Sequence, residues 1–250
     1  MNSVRFFIIC ILISTLSYAQ KGAFEAKEVY FATEYKKIRE NNDYDNKDIE
    51  SVQFSKDFKK FISENPETLN YSFKQFKEIG IDVVTSEDKK LRFYVWDTEL
   101  GGTMKSYDQI IQYSSGKQVK TVYTKDQEEN HHFVSEILKT DINNVNYYLV
   151  IFNGIFSTMD QSQAVQAFTI RHNELIDSDK IFKTKTKSLN KIEANFDFFS
   201  VVDRPERPLK LIKFDHNNLY IPVVNDKGVV SNKYLIYQKN KDGFQYIGVK

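Results

Sequence analysis

The sequence predicts an α+β fold, in which N-terminal helices pack on an antiparallel β body. Apolar residues recur at intervals of three, four and seven between residues 20 and 80, which indicates helices. From Ile81 onward the apolar residues alternate with polar ones, and short turn sequences such as Asp242-Gly243 separate the alternating segments, as in hairpins. The length of 250 residues and the hydrophobic content of 41% suffice for a substantial core.

Residues 1–19 have the composition of a secretory signal peptide. Arg5 precedes an uninterrupted apolar run, and small residues end the segment at Ala19. The run is shorter than the roughly 20 residues of a membrane-spanning helix, so we expect cleavage, export to the periplasm or beyond, and no transmembrane span afterwards. Cys10 is the only cysteine and Arg5 the only charge in this segment. The mature chain would therefore be cysteine-free and formally neutral, which excludes disulfides, thiolate catalysis and cysteine-ligated metals.

Three helices are predicted in the helical region 20–80. Their apolar faces are formed in turn by Phe24, Phe31, Tyr35 and Ile38, by Phe54, Phe58, Phe61 and Ile62, and by Leu69, Phe73, Phe76 and Ile79. The polar stretch 41–46 separates the first two. Asn65-Pro66 supplies the cap and first-position residues of the third, and Gly80 is typical of a helix end. Residues 66–79 are accordingly predicted to form one continuous helix.

The β body, residues 81–250, is predicted to contain 12–13 short strands. The candidate segments are 81–86, 91–97, 107–113, 118–124, 133–140, 146–153, 163–171, 175–183, 193–201, 209–214, 218–224, 230–237 and 244–249. Short connections leave no helical crossovers, so the strands should form an antiparallel meander. A weak similarity among 91–113, 147–168 and 219–237 suggests three units of about four strands. Trefoil, propeller-like and open-sandwich arrangements are all compatible with this pattern.

The most distinctive segment is 91–104, which reads LRFYVWDTELGGTM. It holds the only tryptophan, Trp96, and the only Gly-Gly pair. The segment resembles one of the form L-R-x-Y-x-W-D-T-x-x-G-G-T-M in uncharacterised exported bacterial proteins. That resemblance brings no known activity with it.

The end of this segment has two interpretations. Asp97 and Glu99 lie on one side of an extended strand, about 6–7 Å apart. They could act as acid and base of a cofactor-free, glycosidase-like hydrolase, with Trp96 as a sugar-stacking surface. The residue types favour the other interpretation, a turn held by Asx-type hydrogen bonds. If the segment binds a ligand without catalysis, its binding residues would be Trp96, Thr98, Gly101, Gly102 and Thr103.

Metal, nucleotide and nucleic-acid chemistry receive little support. His131 and His132 follow several carboxylates and are the only metal-ligand candidates, but neighbouring strand residues face opposite ways. We predict a solvated loop there, with no metal or cofactor. The sequence has no phosphate-binding glycine motif and no nucleophile elbow. The lysine-rich stretch 183–191 lacks an aromatic platform, so no nucleic-acid partner is expected.

The sequence therefore favours a non-catalytic exported module whose partner is a glycan or an envelope protein. The 35 Phe and Tyr residues exceed what one small core needs, and some could form exposed ligand-facing patches. A phenylalanine-rich core is the alternative explanation. An exposed aromatic cluster on one face of the protein would support the binding module.

Overall fold

A computed structural model describes residues 22–116, 118–123, 130–215 and 217–250. The predicted signal peptide lies outside these ranges. The α+β class is confirmed, because N-terminal helices precede sheets that are antiparallel in all but one strand pair. Within the described ranges, no helix is long and apolar enough to cross a membrane.

Two long helices, α1 (residues 22–40) and α2 (Tyr44–Glu64), form the N-terminal layer. The side chain of Asp43 caps α2 by accepting a hydrogen bond from the Asn46 amide. The prediction of one continuous third helix is wrong. The chain instead forms a 3₁₀ helix (Pro66–Asn70) and, after a break, the single turn α3 (Phe76–Ile79). Gly80 ends α3 with a φ of 88°, a left-handed conformation that favours glycine.

Tertiary hydrogen bonds explain why the third helix is broken. In a continuous helix the amide of Gln75 would donate to the carbonyl of Tyr71. Here the Gln75 amide donates to the carboxylate of Glu28 at 2.6 Å, and the Tyr71 carbonyl accepts from the Arg92 guanidinium at 2.6 Å. Both of these distant partners are buried. Their bonds replace the helical ones and hold the segment against α1 and the first sheet.

The described residues form fifteen strands. They are β1 (Ile81–Thr85), β2 (Leu91–Asp97), β3 (Tyr107–Ser115), β4 (Gln118–Tyr123), β5 (His132–Ile142), β6 (Val145–Ile155), β7 (Asp160–Arg171), β8 (Glu174–Ile176), β9 (Phe182–Lys183), β10 (Ser188–Leu189), β11 (Lys191–Asp197), β12 (Lys213–Asp215), β13 (Asn218–Val224), β14 (Val230–Asn240) and β15 (Gly243–Val249). The first sheet has the order β1-β2-β3-β4, and the second has β11-β7-β6-β5, with β8 beside β7. The third has β10-β9-β15-β14-β13-β12.

Several details differ from the predicted meander. The described residues form fifteen strands where 12–13 were predicted, and the predicted strand 209–214 is a strand only at its end, in β12. The short pair β9–β15 is parallel, because β9 joins the third sheet from a distant part of the chain. The predicted strand 175–183 divides into β8 and β9, and the end of predicted strand 193–201 is a 3₁₀ helix (Phe198–Val201). The similar segments 91–113, 147–168 and 219–237 do occupy corresponding places, since they contain the hairpins β2–β3, β6–β7 and β13–β14 of the three sheets.

The helices and sheets pack as successive layers. One core joins α1 and α2 to the first sheet, a second joins the first sheet to the second, and a third joins the second sheet to the third. Strand β2 contributes to two of these cores: Leu91, Phe93 and Val95 face the second sheet, whereas Tyr94 and Trp96 face the helices. Burial on both faces explains why its sequence is a continuous apolar run broken only by Arg92.

Candidate functional site

The loop after β2 has the geometry of a fixed turn. Asp97 accepts a hydrogen bond from the Glu99 amide at 2.8 Å through Oδ1 and pairs with Lys105 Nζ at 2.9 Å through Oδ2. Thr98 donates to the Ser106 carbonyl from both its amide and its hydroxyl, at 2.8 and 3.1 Å. Glu99 has a φ of 61°. These contacts are those of an Asx-type turn that closes the β2–β3 loop.

Both candidate carboxylates have cationic partners. Glu99 Oε1 lies 3.2 Å from Arg39 Nε, and the Tyr35 hydroxyl donates to the carbonyl of Asp97 at 2.8 Å. The hydrogen bond to Asp97 raises the pKa of Lys105, so this lysine stays charged. Because each carboxylate faces a fixed cation, the geometry favours loop closure over acid–base catalysis by Asp97 and Glu99.

The remaining predicted binding residues divide between the core and the loop tip. Trp96 is 1% exposed and packs edge-to-face on Phe54 and Phe58 at centroid distances of 5.7 and 5.4 Å. The prediction that Trp96 stacks on a sugar is therefore wrong. Gly102 and Thr103 are exposed at the tip. At Gly101 a side chain would meet the Ser106 amide at 2.7 Å, which explains glycine at that position.

The two histidines make different contacts. His131 Nδ1 lies 2.8 Å from the Lys105 carbonyl, which links it to the loop after β2. His132 Nε2 lies 3.1 Å from Glu193 Oε1. Within the part of the chain that the structure describes, no three histidine or acidic side chains are grouped to hold a metal ion.

A row of paired residues across the second sheet explains the contact between His132 and Glu193. His132 is opposite Gly154, and Gly154 is opposite Ser162. Gly154 leaves the space in which His132 reaches across, since a Cβ there would lie 2.6 Å from Ser162 Oγ and 3.0 Å from His132 Nε2. Ser162 donates to Glu193 Oε1 at 2.8 Å.

These three side chains do not form a nucleophilic triad. In such a triad the serine donates to the histidine, and the carboxylate binds the other ring nitrogen. Here the same ring nitrogen, His132 Nε2, lies 3.5 Å from Ser162 Oγ and 3.1 Å from Glu193 Oε1, the oxygen to which Ser162 donates. Ser162 is also only 1% exposed. The cluster ties β5, β7 and β11 together and offers no accessible nucleophile.

Glu193 provides a test of this assignment by pH. Hydrogen bonds from His132, Lys191 and Ser162, with His132 the strongest, lower its pKa from 4.5 to about 2. Its stabilising contribution is therefore complete above pH 4.5 and is lost as the pH falls from 4.5 towards 2. Because Glu193 is exposed to solvent, we expect only about 1 kcal/mol. Urea unfolding at pH 7 and at about pH 3 tests this. Between these pH values the free energy of unfolding should fall by about 1 kcal/mol more for the wild type than for Glu193→Gln.

The matched control for this experiment is Glu174→Gln, an exposed carboxylate on β8. The free energy of unfolding of Glu174→Gln should depend on pH as that of the wild type does. If Glu193→Gln also follows the wild type, the cluster does not stabilise the second sheet in the way described.

Sequence reasoning missed a groove on the third sheet. It is lined by Lys213, Phe214, Asp215, Tyr220, Asn232, Tyr234 and Lys250, and its volume is about 540 Å³; we call it the tyrosine groove. The rings of Tyr220 and Tyr234 are perpendicular, with centroids 6.2 Å apart, and both are partly exposed. Lys213 Nζ lies 5.0 Å above the Tyr234 ring.

The polar groups of the tyrosine groove are held in place. The hydroxyl of Tyr220 donates to Asp215 Oδ2 at 2.7 Å, and Asn218 donates to Oδ1 from its amide and its side chain, each at 3.1 Å. The hydrogen bond from Tyr220 lowers the pKa of Asp215, so the carboxylate is ionised at neutral pH. Within the described residues, Lys213 forms no ion pair.

Most of the aromatic residues lie in the core, as the alternative explanation of their number predicted. The layer between helices and first sheet is built largely from rings, including Phe31, Phe54, Phe58 and Phe76. The tyrosine groove is different, because two rings share an outer face of a sheet with charged side chains around them. All its members except Lys250 come from β12, β13 and β14, and the register of these strands brings them together. Lys250 directly follows β15.

The chain was also compared with known proteins. No family model matches it, and no curated protein or solved structure matches it either.

Proposed function

We propose that the protein is an exported, non-catalytic module that binds an acidic polysaccharide in the tyrosine groove. Export rests on the signal-peptide composition of residues 1–19. Binding rests on one observation: a perpendicular tyrosine pair is partly exposed beside two lysines and an immobilised carboxylate in a groove of about 540 Å³.

The chemistry of the tyrosine groove suits a saccharide. Tyrosine rings present apolar faces to the C–H groups of a pyranose, while Asn232 and Asp215 can bond its hydroxyls. A groove that is open to solvent accepts a chain rather than a single enclosed molecule.

The charge balance favours an acidic saccharide over a neutral one. Asp215 already receives hydrogen bonds from Tyr220 and Asn218, so its charge is partly satisfied within the protein. Lys213 and Lys250 then supply the positive charges that face a ligand. A carboxylate on the saccharide would replace the weak contact of Lys213 with the Tyr234 ring by a charge-assisted bond.

Titration of polygalacturonate and of neutral dextran into the protein tests this proposal. Polygalacturonate should bind the wild type more tightly than dextran, and Tyr234→Ala should weaken it about tenfold, equivalent to about 1.4 kcal/mol, because the stacking surface is lost. Lys213→Ala should reduce the preference for polygalacturonate over dextran. Isothermal titration calorimetry gives these affinities directly.

Phe199→Ala is the matched control, since its ring is 57% exposed on a different element. It should bind polygalacturonate as the wild type does. Equal binding by wild type and Tyr234→Ala, or no polygalacturonate binding by a folded wild type, would contradict the proposal.

A further inference from the structure

A second surface, independent of the tyrosine groove, lies on the outer side of the two long helices. Helices α1 and α2 are joined by only the residues 41–43, so they lie side by side with a cleft of about 240 Å³ between them. Buried Phe31, Ile38 and Phe54 form its floor. We call this the acidic cleft, for the charges described below.

The mouth of the acidic cleft exposes large apolar side chains. Tyr30 on α1 is 46% exposed, and Ile49 on α2 is 68% exposed. Val29 and Val52 on the same helices are 47% and 45% exposed. Four exposed apolar side chains on two neighbouring helices indicate a surface that a segment of another protein can cover.

The rim of the cleft carries an excess of negative charge. Glu34, Glu50 and Asp57 line it, and the only lining cation, Lys37, is 2.6 Å from Glu34. Glu50 accepts from the side-chain amide of Asn41, and Asp57 from that of Gln53, each at 3.0 Å. These donors are neutral. Within the described residues, neither carboxylate forms an ion pair.

We propose that the acidic cleft docks a basic amphipathic helix of a partner protein. One large apolar side chain of that helix enters between Tyr30 and Ile49, and Lys or Arg residues beside it on the helix face Glu50 and Asp57. A groove between two helices accepts a third in the manner of helix-in-groove recognition, with anchors at helical spacing. The charge on the rim selects a basic partner.

The test uses a synthetic helix of Leu and Lys of about 18 residues, long enough to be helical when bound. Its Leu residues follow helical spacing, and fluorescence anisotropy measures its binding to the full protein. Ile49→Asn and the double change Glu50→Lys/Asp57→Lys should each weaken binding at least tenfold. The controls are Ile247→Asn and Glu64→Lys, which change another exposed isoleucine, on β15, and an exposed carboxylate at the end of α2. Both should leave binding unchanged.

Two further peptides separate this proposal from simple charge attraction. A peptide with the same residues in scrambled order, and a Leu/Glu helix of the same spacing, should both bind at least tenfold more weakly. The proposal would be overturned if the scrambled peptide bound equally well, or if the cleft variants bound the Leu/Lys helix unchanged. It would also be overturned if the small amine octylamine fully displaced that helix and bound with similar affinity. Circular dichroism confirms that each variant is folded.

Discussion

Arg92→Ala should destabilise the protein by about 3 kcal/mol, and the loss should be concentrated around residues 68–75. The guanidinium is buried and donates to the carbonyls of Thr68 and Tyr71, both at 2.6 Å, and to the hydroxyl of Thr85 at 2.8 Å. Alanine leaves these acceptors without their donor and removes the packed stem of the side chain. Urea unfolding measures the total loss, and amide hydrogen exchange measures where it occurs.

Two variants test whether the loss is specific to the buried guanidinium of Arg92. Arg92→Lys keeps the charge but loses the planar fork that reaches three acceptors, so it should fall between wild type and Arg92→Ala. Arg39→Ala removes an exposed arginine that pairs with Glu99, and it should cost less than about 1 kcal/mol. A loss below about 1 kcal/mol for Arg92→Ala, or unchanged exchange in residues 68–75, would show that other contacts hold this segment.

The conspicuous segment 91–104 is explained by the layered packing. Its alternate residues serve two cores, Arg92 holds the broken third helix, and Asp97 closes the following turn. The apolar run in the sequence identified a strand at residues 91–97 correctly. It could not show that both faces are buried, because that depends on a second sheet formed some 60 residues later in the chain.

The third helix shows where local patterns fail. Pro66 and Gly80 are genuine start and stop signals, and the structure places a 3₁₀ helix and a helix end at those positions. The predicted cap is not formed, because the side chain of Asn65 donates to the Phe61 carbonyl instead. The break between them comes from Glu28 and Arg92, which approach from α1 and β2. Single-helix signals describe helix ends well, whereas hydrogen bonds from distant residues decide whether the helix is continuous.

The candidate sites also differ in how far the sequence alone could reveal them. Asp97 and Glu99 were visible because they are neighbours in the sequence. The partner of Glu99, Arg39, comes from α1, and the partner of Asp97, Lys105, comes from the far end of the same loop. The tyrosine groove had no sequence signal, since Tyr220 and Tyr234 are separated by a hairpin. Tyr220 is paired with Ile236, and Tyr234 with Pro222, so a diagonal across β13 and β14 brings the two rings together.

Phe58→Ala should cause the largest loss of stability of any change considered, about 4 kcal/mol. Phe58 is fully buried on α2, and its ring lies 5.1–5.8 Å from five other rings, those of Phe31, Phe54, Phe76, Tyr94 and Trp96. Two of these belong to β2, so the side chain joins the helical layer to the first sheet. Truncation leaves a ring-sized cavity and removes several edge-to-face contacts.

The fluorescence of Trp96 reports on this junction without a label, because it is the only tryptophan and its ring lies 5.4 Å from that of Phe58. In Phe58→Ala its emission should shift to longer wavelength, and the urea midpoint should fall. Phe58→Leu, which leaves a smaller cavity, should lose about half as much, and Phe199→Ala, whose ring is 57% exposed, should behave as the wild type. A loss below about 1.5 kcal/mol, together with unchanged emission, would mean that the aromatic layer repacks and that the helices do not depend on Phe58 to stay on β2.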